Sequence, residues 1–181
     1  MWRGDHGLTD LIDRKDLLKS DLRFDVLGTL DEASSALGIV RAGTANAGTR
    51  EIILAVQRDL CWLMSELAAE SDEARPASHI SAERVQWLED LFNDLSRLHP
   101  LGNEFIAPGD TVVGAALQLA RAIVRRAERN VIRFHTESPL PNPHVIPYLN
   151  HLSAMLYALA RAEDAESGVA APTPAKPPNG S

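Results

Sequence analysis

Cysteine is almost missing from this chain. Cys61 is the only one among 181 residues, so no disulfide can form within the chain and a reducing compartment is expected. It sits in an apolar helical pattern, where a lone thiol is expected to be a buried core residue rather than a nucleophile. Aromatic residues are scarce too, 5% against 45% apolar residues overall. That leaves Ala and Leu to build the core and favours helices over sheets. No run of about 18 apolar residues occurs and the N-terminus has no apolar signal segment, so a cytoplasmic protein without a membrane contact is expected. A basic surplus is also lacking: 18 Lys and Arg stand against 25 Asp and Glu, a formal charge of −7. Nucleic-acid binders need phosphate-neutralising charge spread over a surface, and the acidic balance argues against that class. No spacing of His, Cys, Asp and Glu suggests a metal held by side chains, and the six histidines are scattered.

What remains is strong helical periodicity in a chain long enough for one ordinary domain. Residues 1–20 carry no such period, but Arg3-Gly4-Asp5-His6-Gly7-Leu8-Thr9 holds two glycines that let backbone wrap closely around a ligand. A first helix is expected from near Asp21 to about Ala45, burying Leu27, Leu30, Leu37 and Ile39 or Val40. Its Gly28-Thr29-Leu30-Asp31-Glu32 segment sets adjacent carboxylates after a helix-interior glycine. Such a glycine costs about 1 kcal/mol against alanine and marks close approach by another group. Further helices are expected from Thr49 to Glu73, from a cap at Ser81 to Leu98, from Asp110 or Thr111 to His135, and from His144 to Ala165. Together they give an all-α bundle over 21–166, followed at 167–181 by a Pro-rich segment whose composition predicts a disordered tail.

The fourth helix carries the chain's one concentration of positive charge. Arg121, Arg125, Arg126, Arg129 and Arg133 crowd around a single acid, Glu128. At about 100° per residue, Arg121, Arg125 and Glu128 fall within roughly 60° of one another, with Arg129 at the margin. Ala120, Ile123, Val124, Ala127 and Val131 occupy a core arc, and Arg126 and Arg133 point a third way. The local guanidinium face calls for a small anionic ligand.

Taken together, these stretches resemble the PduO-type ATP:cob(I)alamin adenosyltransferases. The resemblance runs from Trp2 to Arg161 and rests on motifs in matching order: Trp2 to Thr9, Lys19 to Glu32, the loop Phe105-Ile106-Ala107-Pro108-Gly109-Asp110, Arg121 to Arg129, and Tyr148 to Ala154. It implies an up-down five-helix bundle with a non-helical N-terminal loop, and a homotrimer with active sites between adjacent subunits. The implied reaction moves the 5′-deoxyadenosyl group of ATP, carried with Mg²⁺, to the cobalt of cob(I)alamin and releases triphosphate. Carried over by motif, Gly4, Asp5, Gly7 and Thr9 would wrap the triphosphate through backbone N–H groups, and Lys19, Arg125 and Asn150 would also hold ATP. Arg121 would pair with Asp31 across the subunit interface, Glu128 would orient the neighbouring guanidinium groups, and Phe105 would lie against the corrin and keep water and a lower ligand from cobalt. A corrinoid reductase and an adenosylcobalamin-dependent enzyme would be the partners.

The match departs at several positions. The family's opening Thr and basic residue have no counterpart in this sequence, so a shortened ATP loop is expected unless the native start lies upstream of Met1. Asp13-Arg14 stands where the family has Gly-Gly, Asp110 replaces the second glycine of the Phe loop, and His151 and Ala154 replace an Arg and an Asp. Two alternatives stay open: a non-catalytic corrinoid or nucleotide carrier or sensor, and a bundle whose arginines only bridge subunits.

Overall fold

Asp21, Asn46 and Thr111 each turn a side-chain oxygen onto an N–H of the first turn of a helix, accepting from Arg23, Thr49 and Gly114. These caps satisfy donors that the helix leaves unpaired and fix three of the five helix starts. The computed structural model describes residues 2–176, the side chain of Arg3 excepted. Its helices are α1 (Leu22–Gly43), α2 (Ala47–Ala68), α3 (Ala82–Leu98), α4 (Val112–Glu137) and α5 (Val145–Glu166). Ser81 stands at the start of α3 as expected, yet makes no side-chain capping bond; its hydroxyl meets the Glu83 carboxylate instead, which holds that carboxyl below its usual range.

Helix α1 packs against both α2 and α4, α4 against α5, and α5 against α3. Leu30, Leu37 and Val40 of α1, Val56, Leu60 and Leu63 of α2, Val124, Ala127 and Val131 of α4, and Leu149, Leu152 and Leu156 of α5 are fully buried. Each Leu so buried is worth about 1.5–3 kcal/mol. At the far end of α4 a Cβ on Gly114 would run into the Asp164 carboxylate. That glycine lets α4 approach α5 closely enough for Thr111 Oγ1 to donate to Asp164 at 2.7 Å. On the other side of the bundle Asp59, 1% exposed, ties three helices together. It accepts Tyr148 Oη at 2.7 Å, Arg84 Nη2 at 2.5 Å and pairs with His79 Nε2 at 3.2 Å. Burial and then the Asp59 carboxylate push the Tyr148 phenol well above its ordinary range, so it stays a donor.

Several expectations need correction. Helix α2 stops at Ala68 rather than near Glu73, because the next N–H groups, of Glu70 and Ser71, donate to the Asp13 carboxylate at 3.1 and 2.7 Å. Ile39 is 57% exposed while Val40 takes the core position. Cys61 is exposed; Leu60 and Leu63 fill the inward arc, and one step of about 100° carries position 61 onto the groove between α1 and α2. The N-terminal loop is not wholly irregular, since Arg3–His6 forms one 3-10 turn and Leu8–Thr9 (β1) pairs with Leu17–Leu18 (β2). The tail from Ser167 to Lys176 has a defined course: it folds back and pairs with the Phe105 loop, Ile106 opposite Pro174. Residues 177–181 of that expected tail lie outside the described residues.

Candidate active site

The N-terminal segment gathers Gly4, Asp5, Gly7, Thr9 and Lys19 into one knot. Gly7 has φ 75°, which its lack of a Cβ permits, and this reversal sends the chain into β1, antiparallel to β2 with Thr9 opposite Leu17. The return strand delivers Lys19, whose N–H donates to the Gly7 carbonyl at 2.9 Å and whose Nζ donates to the Gly4 carbonyl at 3.0 Å. A Cβ on Gly4 would stand 2.8 Å from that ammonium and displace it. The Asp5 carboxylate accepts the Trp2 N–H at 2.8 Å. The N–H groups of Asp5 and Gly7 donate to the Trp2 and Gly4 carbonyls in this conformation. Those expected ligand donors are therefore used inside the turn, and among the described side chains Lys19 brings a positive charge to this knot.

The departures at Asp13 and Arg14 have a structural use. Hydrogen bonds from the Ser71 and Glu70 N–H groups lower the Asp13 carboxyl to about 2. Arg14 bridges Glu70 at 2.9 Å. Both clip the loop to the end of α2 rather than facing a ligand. Because the Asp13 pKa is depressed, this contact is complete above the ordinary carboxylate pKa and is lost only as the pH falls through about 2.

The second half lies on α4 and α5. Arg121 is half-buried with its guanidinium 5.5 Å from the Tyr157 ring centroid, a cation–π distance. Partial burial and then the charge of Arg125 lower the Arg121 pKa, so positive charge is crowded here. Arg125 is exposed, and among the described residues neither it nor Arg121 has a carboxylate partner. Arg126, assigned to another face by periodicity, pairs with Glu32 of α1, and Arg129 donates to the Arg125 carbonyl at 2.9 Å. Among the described residues no ion pair joins Glu128 to Arg121 or Arg125, so its expected bracing role is not made within one chain. The contacts Gly114–Asp164 and Arg121–Tyr157 set an antiparallel register that brings Asn150, exposed on α5, level with Glu128. Tyr157 also lines a cavity of about 250 Å³ with Glu104, Ile106 and Arg161. Through it the arginine face adjoins the Phe105 loop, where Phe105 is 81% exposed.

Asp31 lies elsewhere. It lines an open groove of about 540 Å³ between α1 and α2 with Ile12, Gly28, Cys61 and Met64. Its neighbour Glu32 meets α4 through Arg126, and one step of about 100° turns Asp31 away from α4. A Cβ on Gly28 would meet no atom within 4 Å, so the close approach expected at this glycine is not made within the chain. Since α1 lies between α2 and α4, Asp31 and Arg121 occupy separate faces. Sequence reasoning missed Tyr157 and the clip made by Asp13 and Arg14; a charged pair replacing two glycine positions was the available signal for the clip.

The cobalamin adenosyltransferase family matches residues 1–163. The corrinoid adenosyltransferase PduO of Salmonella typhimurium is 36% identical over 166 residues, covering 91% of this chain but 49% of that protein. This chain thus spans about half the length of its PduO relative, whereas a corrinoid adenosyltransferase of Citrobacter freundii is 35% identical over 93% of this chain and 96% of its own length. Among solved structures, a phenylalanine-to-alanine variant of a PduO-type ATP:corrinoid adenosyltransferase from Lactobacillus reuteri, complexed with cobalamin and ATP, superposes with a TM-score of 0.82 at 29% identity, covering 91% of this chain and 92% of that one. With the family model matching residues 1–163 and a relative 35% identical over nearly its whole length, this chain belongs to the cobalamin adenosyltransferase family.

Proposed function

We propose that this chain transfers the 5′-deoxyadenosyl group of ATP to the cobalt of cob(I)alamin, in sites assembled between adjacent chains of a homotrimer. The observation that supports the reading is that Arg121 and Arg125, without a carboxylate partner among the described residues, lie on the α4–α5 side, whereas Asp31 and Ile12 of the N-terminal loop line the α1–α2 groove. One chain holds both halves of an anion site but does not bring them together. A head-to-tail ring would, because a heterologous interface that closes sets one face of each copy against the other face of the next.

In that arrangement Lys19 and Arg125 hold the triphosphate, Arg125 as a planar fork for phosphate oxygens, and Asn150 adds a neutral hydrogen-bonding group one turn away. Arg121 reaches Asp31 of the next chain, and its crowding against Arg125 is relieved by that carboxylate and by the bound anion. Phe105, exposed on its loop, covers the corrin face and excludes water. Cobalt(I) is itself the nucleophile: the cobalt–carbon bond forms as the C5′–oxygen bond breaks, and the electron pair leaves with triphosphate. No protein acid or base is required, and the residues contribute position and charge. Mg²⁺ would arrive on the triphosphate oxygens of ATP. The cob(I)alamin comes from a corrinoid reductase and the product passes to an adenosylcobalamin-dependent enzyme, all in the cytoplasm.

Protein mixed with ATP, Mg²⁺ and chemically reduced cob(I)alamin is expected to yield the absorbance spectrum of a cobalt–carbon product. A spectrum no different from a protein-free blank would sink the proposal, and ATP binding without product would favour the carrier or sensor.

A further inference from the structure

The family likeness gives no use for Asp110, which stands where a glycine was expected, nor for the segment after α5. The two explain each other. Gly168, at φ 90°, reverses the chain at the end of α5, and Val169 N–H donates to the Asp164 carbonyl at 3.0 Å. The chain then runs as a strap across the Phe105 loop. Ala107 N–H donates to the Thr173 carbonyl at 2.8 Å, and Ala175 N–H donates to the Phe105 carbonyl at 2.8 Å. Pro174 sits opposite Ile106 between these bonds, where its missing N–H is not called upon. The Asp110 carboxylate closes the arrangement: it accepts the Thr173 N–H at 3.1 Å and the Thr173 hydroxyl at 2.5 Å.

We propose that Asp110 and Thr173 are positioning residues for Phe105, clasping the C-terminal strap to the loop so that the ring is presented at a fixed place to the corrinoid. The inference rests on the reading of Phe105 as the residue at the corrin face. Phe105 is 81% exposed, so side-chain packing does not set its position and the backbone must. The loop has little helix or sheet of its own, and the strap supplies partners to the Phe105 carbonyl and the Ala107 N–H. A two-stranded pairing this short is marginal in water, and a charge-assisted hydrogen bond to a carboxylate is the stronger kind. Pro172 and Pro174 restrict the strap before it docks, which lowers the entropy lost on docking. The Thr173 hydroxyl and then its N–H hold the Asp110 carboxyl below its usual range. With a depressed pKa the clasp is complete above the ordinary carboxylate value and opens only in stronger acid, so it is shut throughout the neutral range.

Hydrogen exchange on the full chain tests the clasp without reference to activity. Ala107 N–H is expected to be protected, to exchange about 10-fold faster in Thr173→Val, which keeps the shape but removes the hydroxyl, and to stay protected in Thr173→Ser. A chain ending at Val169 loses the protection altogether. In the adenosylation assay Thr173→Val and Asp110→Gly are expected to raise the corrinoid KM about 3- to 10-fold and leave the ATP KM unchanged, with Thr173→Ser near wild type. Unchanged Ala107 exchange in both Thr173→Val and the shortened chain overturns the clasp. Faster exchange with unchanged corrinoid KM and kcat overturns its positioning role. A wild-type chain without turnover overturns the adenosyl-transfer reading instead, and the exchange at Ala107 still decides the clasp.

Discussion

Arg125→Ala is expected to lower kcat/KM for ATP by about 10²- to 10³-fold, the usual loss when a preorganised donor to developing charge is removed. Arg125 is exposed in the middle of α4, and no carboxylate among the described residues claims it. A second cation stands close to it, since the charge of Arg125 helps lower the Arg121 pKa. Such crowding is unfavourable in the free protein and is repaid when a polyanion binds. Alanine is the best helix former and the truncated side chain fills no core, so stability should change by no more than about 0.5 kcal/mol. Arg125→Lys should fall between the two, because lysine restores the charge but not the two-pronged fork. Steady-state kinetics over ATP concentration checks this, and a thermal melt shows that the fold survives. Unchanged kinetics in Arg125→Ala would leave the arginine face without its assigned ligand.

Reversing the charge at Asp31 should have a comparable effect through assembly. Asp31 lines the α1–α2 groove with Gly28 and Cys61, and Arg121 lies on the α4–α5 face beside Tyr157. In the proposed ring the two would meet, so Asp31→Arg would set like charges against each other at a cost of several kcal/mol. The proposed trimer should fall to smaller species in sedimentation, with turnover down by more than about 100-fold because every site would lose its neighbour. Arg121→Asp alone should do the same. The double exchange, Asp31→Arg with Arg121→Asp, should restore the assembly, as a coupled pair requires, but not full turnover, since the guanidinium would no longer stand beside Arg125. If Asp31→Arg remains fully assembled and active, the two faces do not meet.

Much of this architecture was legible in the sequence because it depends on local patterns. The five helices follow from period 3.6 with Asp21 and Thr111 as caps, and the separation of Arg126 from Arg121 and Arg125 follows from angle alone; Arg126 indeed finds Glu32. What the pattern could not supply is contact between distant segments. Leu60 and Cys61 are adjacent in an apolar run, and only the packing of α1 beside α2 decides which of them faces the groove. The segment 167–176 reads as a disordered tail because its Pro and Ala cannot build a core, yet its backbone is ordered by the Phe105 loop more than sixty positions away through Asp110 and Thr173. Asp13 and Arg14, which stand where the resemblance led us to expect two glycines, are tied to Glu70 and Ser71. In the candidate site the motifs named Lys19, Gly4 and Gly7 together, and the structure groups them. Asp31 and Arg121 were expected to pair between chains, and within one chain they stand on separate faces.

The central claim is that each site takes its loop from one chain and its arginine from the next, and mixing two damaged chains tests it most directly. Lys19→Ala and Arg125→Ala should each be nearly inactive alone. Dissociated, mixed in equal amounts and reassembled, they should regain about a quarter of wild-type adenosylation, because a random ring pairs an intact loop with an intact arginine at one interface in four. Activity no greater than the average of the two separate variants would contradict a site shared between chains.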